Sequence, residues 1–506
     1  MTIRDDLYCP ECGSKGMTPL SYKAESGRTR YRCKQCKFRT TSTIYTPPQI
    51  LPKLKLGEIR KHKRFLIVSA VNDTPVVKDW LNTLLNMCDH LNAMLLVIPG
   101  VYKNPDLKHQ GVISQYKWPD DILPYVCNTD VSLNKNLVIR GTTRIQYTAI
   151  NPLSGMNSAG DTKSEVFGHP QVARQPVATP HGHLPKVLMT TGSVSQPNYG
   201  GSKQAKKAAF HHSLSATLIE LEGDTYYDTQ VHYDGEGAYL FNKYYTATEV
   251  LESEGVAAII HGDTHIEGLP EKLEKIMMGV AGKLAPDYEV FHDLHTQDIG
   301  SHHTEKNTLH NLGKSIQKKF SIRDELMLSV RFLRDKVNPV VVDSNHHRHL
   351  DQWFNRFKPN GGDHVNLELY YELGEMAASD LRTGGDGNLF RLFVEKYAEK
   401  EVQFVGGNDY FIICDIDCSQ HGDRGPNGSR GSAKSYSKTG YKTFVGHAHT
   451  AIIEKGCYQV GASHLNHHYA VGYGTHTITH GIIYDNGKRG LFSIINDKLS
   501  PLMRRL

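Results

Sequence analysis

Nineteen of the chain's 28 histidines fall between His261 and His480. They gather in short polar loops, each following an apolar run. These read His261-Gly262-Asp263-Thr264-His265, His292-Asp293-Leu294-His295, Ser344-Asn345-His346-His347, Gln420-His421-Gly422-Asp423 and Gly446-His447-Ala448-His449. A solvated surface has no need of this mixture of Asp, Asn and His at strand ends, whereas a cage for two divalent metals does. Imidazole, carboxylate and amide oxygen are the donors suited to Mn, Fe or Zn.

The intervening segments have α/β periodicity. Val256–Ile260 reads as a buried strand feeding Asp263 and His265. A helix with Leu269, Leu273, Ile276, Met277, Val280 and Leu284 at three- and four-residue spacing follows. Asp287–Phe291 is a strand feeding Asp293, and 303–336 reads as helical. Val340–Val342 feeds Asn345, Tyr410–Ile413 runs toward His421, and Thr443–Val445 feeds His447 and His449. In open α/β sheets, sites form at the carboxyl ends of strands, so these ligands are expected along one edge.

This order of motifs, over roughly 255–485, resembles the calcineurin-like metallophosphoesterase superfamily. The resemblance implies a four-layer αββα sandwich and a dinuclear metal centre. It implies that Asp263 and His265 bind one metal, that Asp293 bridges both, and that Asn345, His421 and His447 bind the second. His449 would return to the first metal, and His346 would be the acid–base histidine. Three departures stand out. His292 and Ser344 occupy positions that are usually Gly, and His347 stands where an acid usually follows the histidine, so the group orienting His346 is not visible in the sequence. Independently of the resemblance, two cations about 3.5–4 Å apart can bind a phosphodiester and lower the pKa of a water between them. Two exchangeable divalent ions are expected, with Mn2+ preferred.

Arg348, beside this motif, is a candidate phosphate contact. So are Arg424 and Arg430 in the Gly/Ser-rich stretch 423–438, which reads equally as a mobile loop over an anionic substrate or as a flexible surface loop. Gly313-Lys314-Ser315 is not a phosphate-binding loop, because Thr308 stands where the first Gly is required. His302-His303 and His467-His468 lack usable ligand spacing and are left as structural.

At the N-terminus, Cys9-Pro-Glu-Cys12 and Cys33-Lys-Gln-Cys36 form two C-x2-C knuckles. Four thiolates suit one tetrahedral Zn2+, which in so small a segment would largely hold the fold. Lys23, Arg28, Arg30, Tyr31, Arg32, Lys34, Lys37 and Arg39 lie between and after the knuckles. Such a face fits a phosphate backbone or is simply solvated. The string around Cys33 resembles zinc ribbons of transposases and of other phage or mobile-element DNA proteins.

The expected organisation is a ribbon at 1–45, a linker at 46–63 containing Pro47, Pro48 and Pro52, an α/β region at 64–250 and a catalytic domain at 251–506. Within 64–250, Phe65–Ala70 and Met94–Ile98 read as strands flanking a helix over 76–91. The segment 150–215 is rich in Gly, Ser, Pro, Gln and Asn, and strands return at Ala216–Leu221 and Ala238–Phe241. No repeat or chemical signature is visible in this region, and its role is unassigned.

A net charge of +5 and 39% hydrophobic content suit a globular chain and do not oppose an anionic partner. The first residues lack the apolar stretch of a signal peptide, and no apolar run approaches the ~20 residues of a membrane span. Nine cysteines, four of them in the knuckles, do not form a secreted disulfide framework, so a reducing cytoplasm is expected. The leading functional expectation is a metal-dependent nuclease, with DNA favoured over RNA and homo-oligomerisation left open. The superfamily's nuclease branch includes the double-strand-break repair nucleases. A ribbon ahead of such a domain is similar to phage-encoded enzymes such as the DNA-transfer nucleases of T5-like phages, which would act in host cytoplasm. The alternatives are a phosphatase on phosphoproteins or nucleotides, and a non-catalytic DNA-binding protein.

Overall fold

The computed structural model describes residues 4–23, 29–41, 49–52, 54–102, 117–158, 162–180, 183–299, 301, 304, 307–317, 319–465 and 472–506. Pro47, Pro48, Arg28, His302-His303 and His467-His468 lie outside the described residues. The architecture is mixed α/β.

The ribbon is a four-stranded antiparallel sheet of Arg4–Tyr8, Lys15–Lys23, Thr29–Cys33 and Arg39–Thr40 in sequential order. The segment read as a linker is partly built into the protein. It holds a short helix, Leu56–Ile59, and the Gln49 amide exchanges hydrogen bonds with the Trp118 backbone at 2.7 and 3.0 Å.

Beyond it the chain runs β1 (Arg64–Val71), α1 (Lys78–Leu91), β2 (Met94–Gly100), β3 (Leu137–Arg140), β4 (Ser164–Phe167), β5 (Ala173–Val177), β6 (Lys186–Thr190), α2 (Lys203–Phe210), β7 (Ser215–Glu222) and β8 (Thr225–His232). A small three-stranded sheet over 237–252 follows. The second half runs β9 (Val256–Ile260), α3 (Glu271–Leu284), β10 (Pro286–Phe291), α4 (Ile322–Arg334), β11 (Pro339–Val342), α5 (Leu389–Tyr397), β12 (Gln403–Val405), β13 (Ile416–Asp417), β14 (Lys442–Val445), β15 (Ile452–Glu454), β16 (Cys457–Gln459), β17 (Ile478–Ile483) and β18 (Arg489–Ile494).

The helical stretch expected over 303–336 resolves into Thr308–Ile316 and α4, the latter capped by Ser321, whose hydroxyl accepts from the Asp324 N–H. Between Tyr410 and Ile413 only Ile412–Ile413 is strand, and β13 is the element that leads to His421.

Three sheets carry the core. One six-stranded sheet has the order β12-β11-β10-β9-β17-β18, with β9 to β12 parallel. Of its parallel strands, β9 and β11 are buried along their whole length, which explains their unbroken apolar sequences. Ala258, Ile260, Val290, Val340 and Val342 face Phe444, Ile453, Tyr458 and Val460 of a ten-stranded sheet. Phe291 and Val341 face the other way, onto Leu326, Val330 and Leu333 of α4 and Phe390, Phe393 and Val394 of α5.

A four-stranded sheet, β8-β7-β1-β2, packs on the same ten-stranded sheet through Phe65, Ile67, Leu96, Ile98 and Ile219. Its other face buries Leu66, Val68, Leu95 and Val97 against Trp80, Leu84 and Met87 of α1. The ten-stranded sheet runs Ile412–Ile413, β13, β14, β16, β15, β5, β6, β4, β3 and Asp130–Ser132. It draws strands from both sides of residue 250, where the sequence suggested a domain boundary. The β5–β15 pairing, Ala173 to Glu454 and Arg174 to Ile453, makes it continuous.

Candidate metal centre

Two overlapping sets of side chains converge beyond the carboxyl ends of β9, β10 and β11. Asp263, His265, Asp293 and His449 offer ligand atoms within 4.8 Å of one another, and Asp293, His421 and His447 form the second set. Asp293 belongs to both. Asn345, from the loop after β11, completes the second set. Its Oδ1 lies 3.1 Å from His421 Nε2 and 3.0 Å from His447 Nδ1. His449 Nε2 lies 3.2 Å from Asp263 Oδ2 and 3.0 Å from His265 Nε2. His421 Nε2 lies 3.2 Å from Asp293 Oδ2. All seven expected ligands are therefore brought together.

The donor chemistry fits cations. Asp263 Oδ1 and Asp293 Oδ1 are buried without a hydrogen-bond partner among the described residues, a state that carboxylate oxygens rarely tolerate unless an ion satisfies them. Burial opposes ionisation of Asp293, but the imidazoles of His421 and His346 outweigh it and hold the carboxyl well below its ordinary range. Burial likewise disfavours a charged His421, yet the Asp293 carboxylate raises it to about 9. An imidazolium thus partly fills the role that a metal cation would take.

The backbone is forced into shape around these groups. His265, Asp293, His447 and His449 all have positive φ, between 40° and 74°. Non-glycine residues adopt this region only where the surroundings impose it. Gly446 illustrates the crowding. A Cβ there would sit 2.3 Å from Asp263 Oδ1 and 3.0 Å from the His292 side chain. His292 itself is buried, with neither ring nitrogen hydrogen-bonded among the described residues.

His346 sits beside the ligands, with Nε2 4.0 Å from Asp293 Oδ2. The orienting group missing from the sequence is the Thr296 carbonyl, 2.8 Å from His346 Nδ1. Nδ1–H donates there, so Nε2 is the nitrogen directed at the cluster. The Thr296 backbone is itself held by half-buried Glu267, whose carboxylate accepts from Thr296 N–H at 2.8 Å and Gln297 N–H at 3.3 Å. No side-chain motif signals this chain of contacts, because a backbone carbonyl can come from any residue. His464 was also missed. It is buried, with Nε2 3.0 Å from the His265 carbonyl. His347 is structural: its Nε2 accepts from the Leu294 N–H and its ring stacks on Phe390.

The candidate phosphate contacts fare differently from one another. Arg348 is engaged by the carboxylates of Asp343, at 2.6 Å, and Asp423. Its charge is balanced within the protein. Arg424 is 60% exposed, and Arg430 is exposed. The stretch around them is more built than its composition indicates. Arg424 and Arg430 form a β-bridge, Ser432 caps a short helix, and Ala433 and Tyr436 of that helix pack on Val445 and Cys457.

In the ribbon, Cys9, Cys12, Cys33 and Cys36 place their sulfurs within 4.8 Å of one another. Cys9–Cys36 and Cys12–Cys33 approach to 3.6 and 3.7 Å. The four thiols fit a single tetrahedral zinc-type site.

The chain is 28% identical over 464 residues to "Protein A1" of Escherichia phage T5, covering 87% of this chain and 83% of that protein. No family model matches the chain, and no solved structure matches it.

Proposed function

We propose that the protein is a metal-dependent phosphodiesterase acting as a nuclease, with DNA the favoured substrate. The observation that carries this reading is Asp293, a buried carboxylate common to two ligand sets. A structural metal site needs only one ion and closes its coordination with protein groups. A shared carboxylate flanked by Asn345 and five histidines is a device for holding two ions side by side. The arrangement is that expected of the calcineurin-like metallophosphoesterases and their sandwich fold.

When bound, two divalent ions, Mn2+ foremost, supply Lewis acidity toward phosphoryl oxygens and an acidified water. Asp263, His265 and His449 would hold one ion; Asn345, His421 and His447 would hold the other. Asp293, common to both sets, would contribute to each. His346, its Nδ1–H committed to Thr296, presents Nε2 to the substrate side and in its protonated form can deliver a proton to the departing oxygen. Glu267 keeps the Thr296 carbonyl, and hence that ring, in place.

DNA is favoured because the ribbon adds exposed Arg32, Lys34, Lys37 and Arg39, and phosphate neutralisation dominates nucleic-acid affinity. The T5 relative supports a phage-encoded enzyme working in host cytoplasm, in line with the resemblance to phage DNA-transfer nucleases. No described helix is long and apolar enough to cross a membrane.

The test is the purified chain with Mn2+, Mg2+ or EDTA against duplex DNA, single-stranded DNA, RNA, a chromogenic phosphodiester and a chromogenic phosphomonoester. Mn2+-dependent cleavage of DNA and the diester is expected. Turnover of the monoester alone would turn the reading to a phosphatase, and no turnover of any substrate would leave a DNA-binding protein.

A further inference from the structure

The sheets of this chain are built twice. In the first half β1 and β2 are parallel neighbours joined by the 14-residue α1. In the second, β9 and β10 are parallel neighbours joined by the 14-residue α3. In each half the last two strands form an antiparallel hairpin on the free edge of the first. That hairpin is β7–β8 on β1 and β17–β18 on β9.

The ten-stranded sheet repeats the pattern about its centre. β3, β4 and β6 are parallel, with β5 antiparallel to β6; β13, β14 and β16 are parallel, with β15 antiparallel to β16. An antiparallel edge strand closes each end. The two runs meet at the antiparallel pair β5–β15, which is what a twofold axis through the sheet requires.

The backbone bonds identify equivalent residues. Asp263 N–H donates to Gly461 O at 3.0 Å, Ser463 N–H to Asp263 O at 2.8 Å, and Ala462 N–H to Thr477 O at 2.9 Å. In the first half Ser69 N–H donates to Gly192 O at 3.0 Å, Val194 N–H to Ser69 O at 2.9 Å, and Ser193 N–H to Ser213 O at 2.9 Å. Ser69 therefore stands where Asp263 does.

Ile260 and Val290 face the ten-stranded sheet as Ile67 and Leu96 do, and Asp293 lies as far beyond Val290 as Pro99 lies beyond Leu96. Pro99 therefore takes the place of Asp293, and Ile98 that of His292. Gly168-His169 follows β4 as Gly446-His447 follows β14. A Cβ on Gly168 would meet Ile98 at 2.5 Å and Ser69 at 3.4 Å, just as one on Gly446 would meet Asp263 and His292.

We infer that residues 64–232 are a second, metal-free copy of the fold that carries the metal centre, related to 256–494 by a pseudo-twofold axis at β5–β15 and sealed at its former site by Tyr147. The bridging carboxylate has become a hydrocarbon. His169 has both ring nitrogens engaged, with the Gln146 carbonyl at 3.2 Å and the Gln171 N–H at 3.1 Å. Tyr147 is buried, donates to the Ala70 carbonyl at 3.3 Å, and lies so close over Gly100 that a Cβ there would be 1.9 Å from its hydroxyl. No cation ligand set remains there among the described residues.

What the copy retains is a supporting role. The chain leaving β5 crosses to the live end, where Thr179 and Gly474 exchange N–H···O bonds at 2.9 Å each. Gly474 is two residues from His476, whose ring centre lies 5.2 Å from that of His449. Among the described residues there is thus one Asp/His cluster, the hydrolytic centre on the reading proposed above, held by a twin that lacks it.

A crystal structure of the full chain soaked in Mn2+, read by anomalous scattering, tests the inference. Two peaks are expected at Asp293 and none at Ser69, and superposing 64–232 on 256–494 should bring Ser69 onto Asp263, Ile98 onto His292 and Pro99 onto Asp293. A peak beside Ser69, or halves that do not superpose in this register, would overturn it. Tyr147→Ala should lower the melting temperature by opening a cavity yet leave chromogenic-diester turnover within about twofold, as for sites sharing no partners. Tyr147→Phe, which keeps the ring, covers the case in which Tyr147→Ala fails to fold. Collapse of turnover in a folded Tyr147 variant with its Mn2+ content intact would refute a sealed, inactive site.

Discussion

Gly446→Ala is the most exacting test of the metal centre, because it adds one methyl group and no chemistry. The new Cβ would lie 2.3 Å from Asp263 Oδ1 and 3.0 Å from the His292 ring. Ordinary carbon–oxygen contact is ~3.4 Å, so Asp263 or the backbone of residue 446 must move by about 1 Å, and packing of this density resists the move. Asp263 is completely buried, and Gly446 N–H is held by the His421 carbonyl at 2.6 Å, so neither side has a free direction.

Overpacking of this kind costs about 1–3 kcal/mol, which a chain with cores this extensive should survive folded. A displacement of about 1 Å in a catalytic array costs on the order of 10²-fold in rate. We expect Gly446→Ala to stay folded by circular dichroism, to bind Mn2+ more weakly, and to hydrolyse a chromogenic diester about 10²-fold more slowly. Gly279→Ala is the control. That glycine lies within α3 with nothing within 4 Å of its added Cβ, and the change should stabilise the helix by up to ~1 kcal/mol without altering rate. Wild-type turnover and metal affinity in Gly446→Ala would show that Asp263 is not placed as described, or does not matter.

Other outcomes follow from the same geometry. Asp293→Asn should abolish hydrolysis of every substrate, because one change weakens both ion sites; near-normal Mn2+-dependent turnover in the folded variant would remove the dinuclear reading. His346→Ala should retain metal and lose ~10²–10⁴-fold in rate, with a smaller loss on diesters with good leaving groups; equal losses on good and poor leaving groups would exclude it as the acid. In metal-free protein, His421 is raised from 6.5 to about 9 by Asp293. The stability from that pair is therefore complete below pH 6.5 and lost as pH rises through about 9. Thermal melts of EDTA-treated wild type and Asp293→Asn should converge above that range, and parallel curves throughout would contradict the pairing. Removing residues 1–45 should weaken binding to long DNA and reduce its salt slope by ~0.9 per lost phosphate contact. Small-diester turnover should survive, and unchanged affinity and slope would reassign the ribbon to protein contacts.

How much of this was legible in the sequence depended on whether a function constrains side-chain identity or only shape. The converging Asp, Asn and His side chains were legible because a candidate cation site tolerates few residue types, and these had to follow apolar strands such as Val256–Ile260 and Pro339–Val342. The orienting partner of His346 was not, because the Thr296 carbonyl carries no side-chain signature, and the Glu267 that holds it looks like any helix-proximal acid. Arg348 was legible as a cation but not as one already balanced by Asp343 and Asp423, carboxylates that approach it only in three dimensions. Contacts of the 46–63 segment were not legible for a similar reason: Gln49 docks on Trp118, 69 residues away.

The internal copy was invisible for a different physical reason. Once Asp263 and Asp293 have their counterparts in Ser69 and Pro99, the first half has only to fill space. Core positions accept many apolar residues of suitable volume, so the strands Arg64–Val71 and Val256–Ile260 can share a pairing pattern without sharing a readable sequence. Gly168-His169 survives beside Gly446-His447 because the constraint there is a close approach of backbone to a neighbouring strand, which persists after the ions have gone. The pairing of β5 with β15 makes the consequence concrete. Buried Arg174 binds the Asp228 carboxylate at 2.9 Å on its own side of the junction and donates to the Ala451 carbonyl at 2.7 Å on the other. Removing either half would leave buried charge and an open sheet edge at that seam, so the two halves should unfold together. A copy without the metal-binding side chains would be retained because the other half is not a complete fold without it.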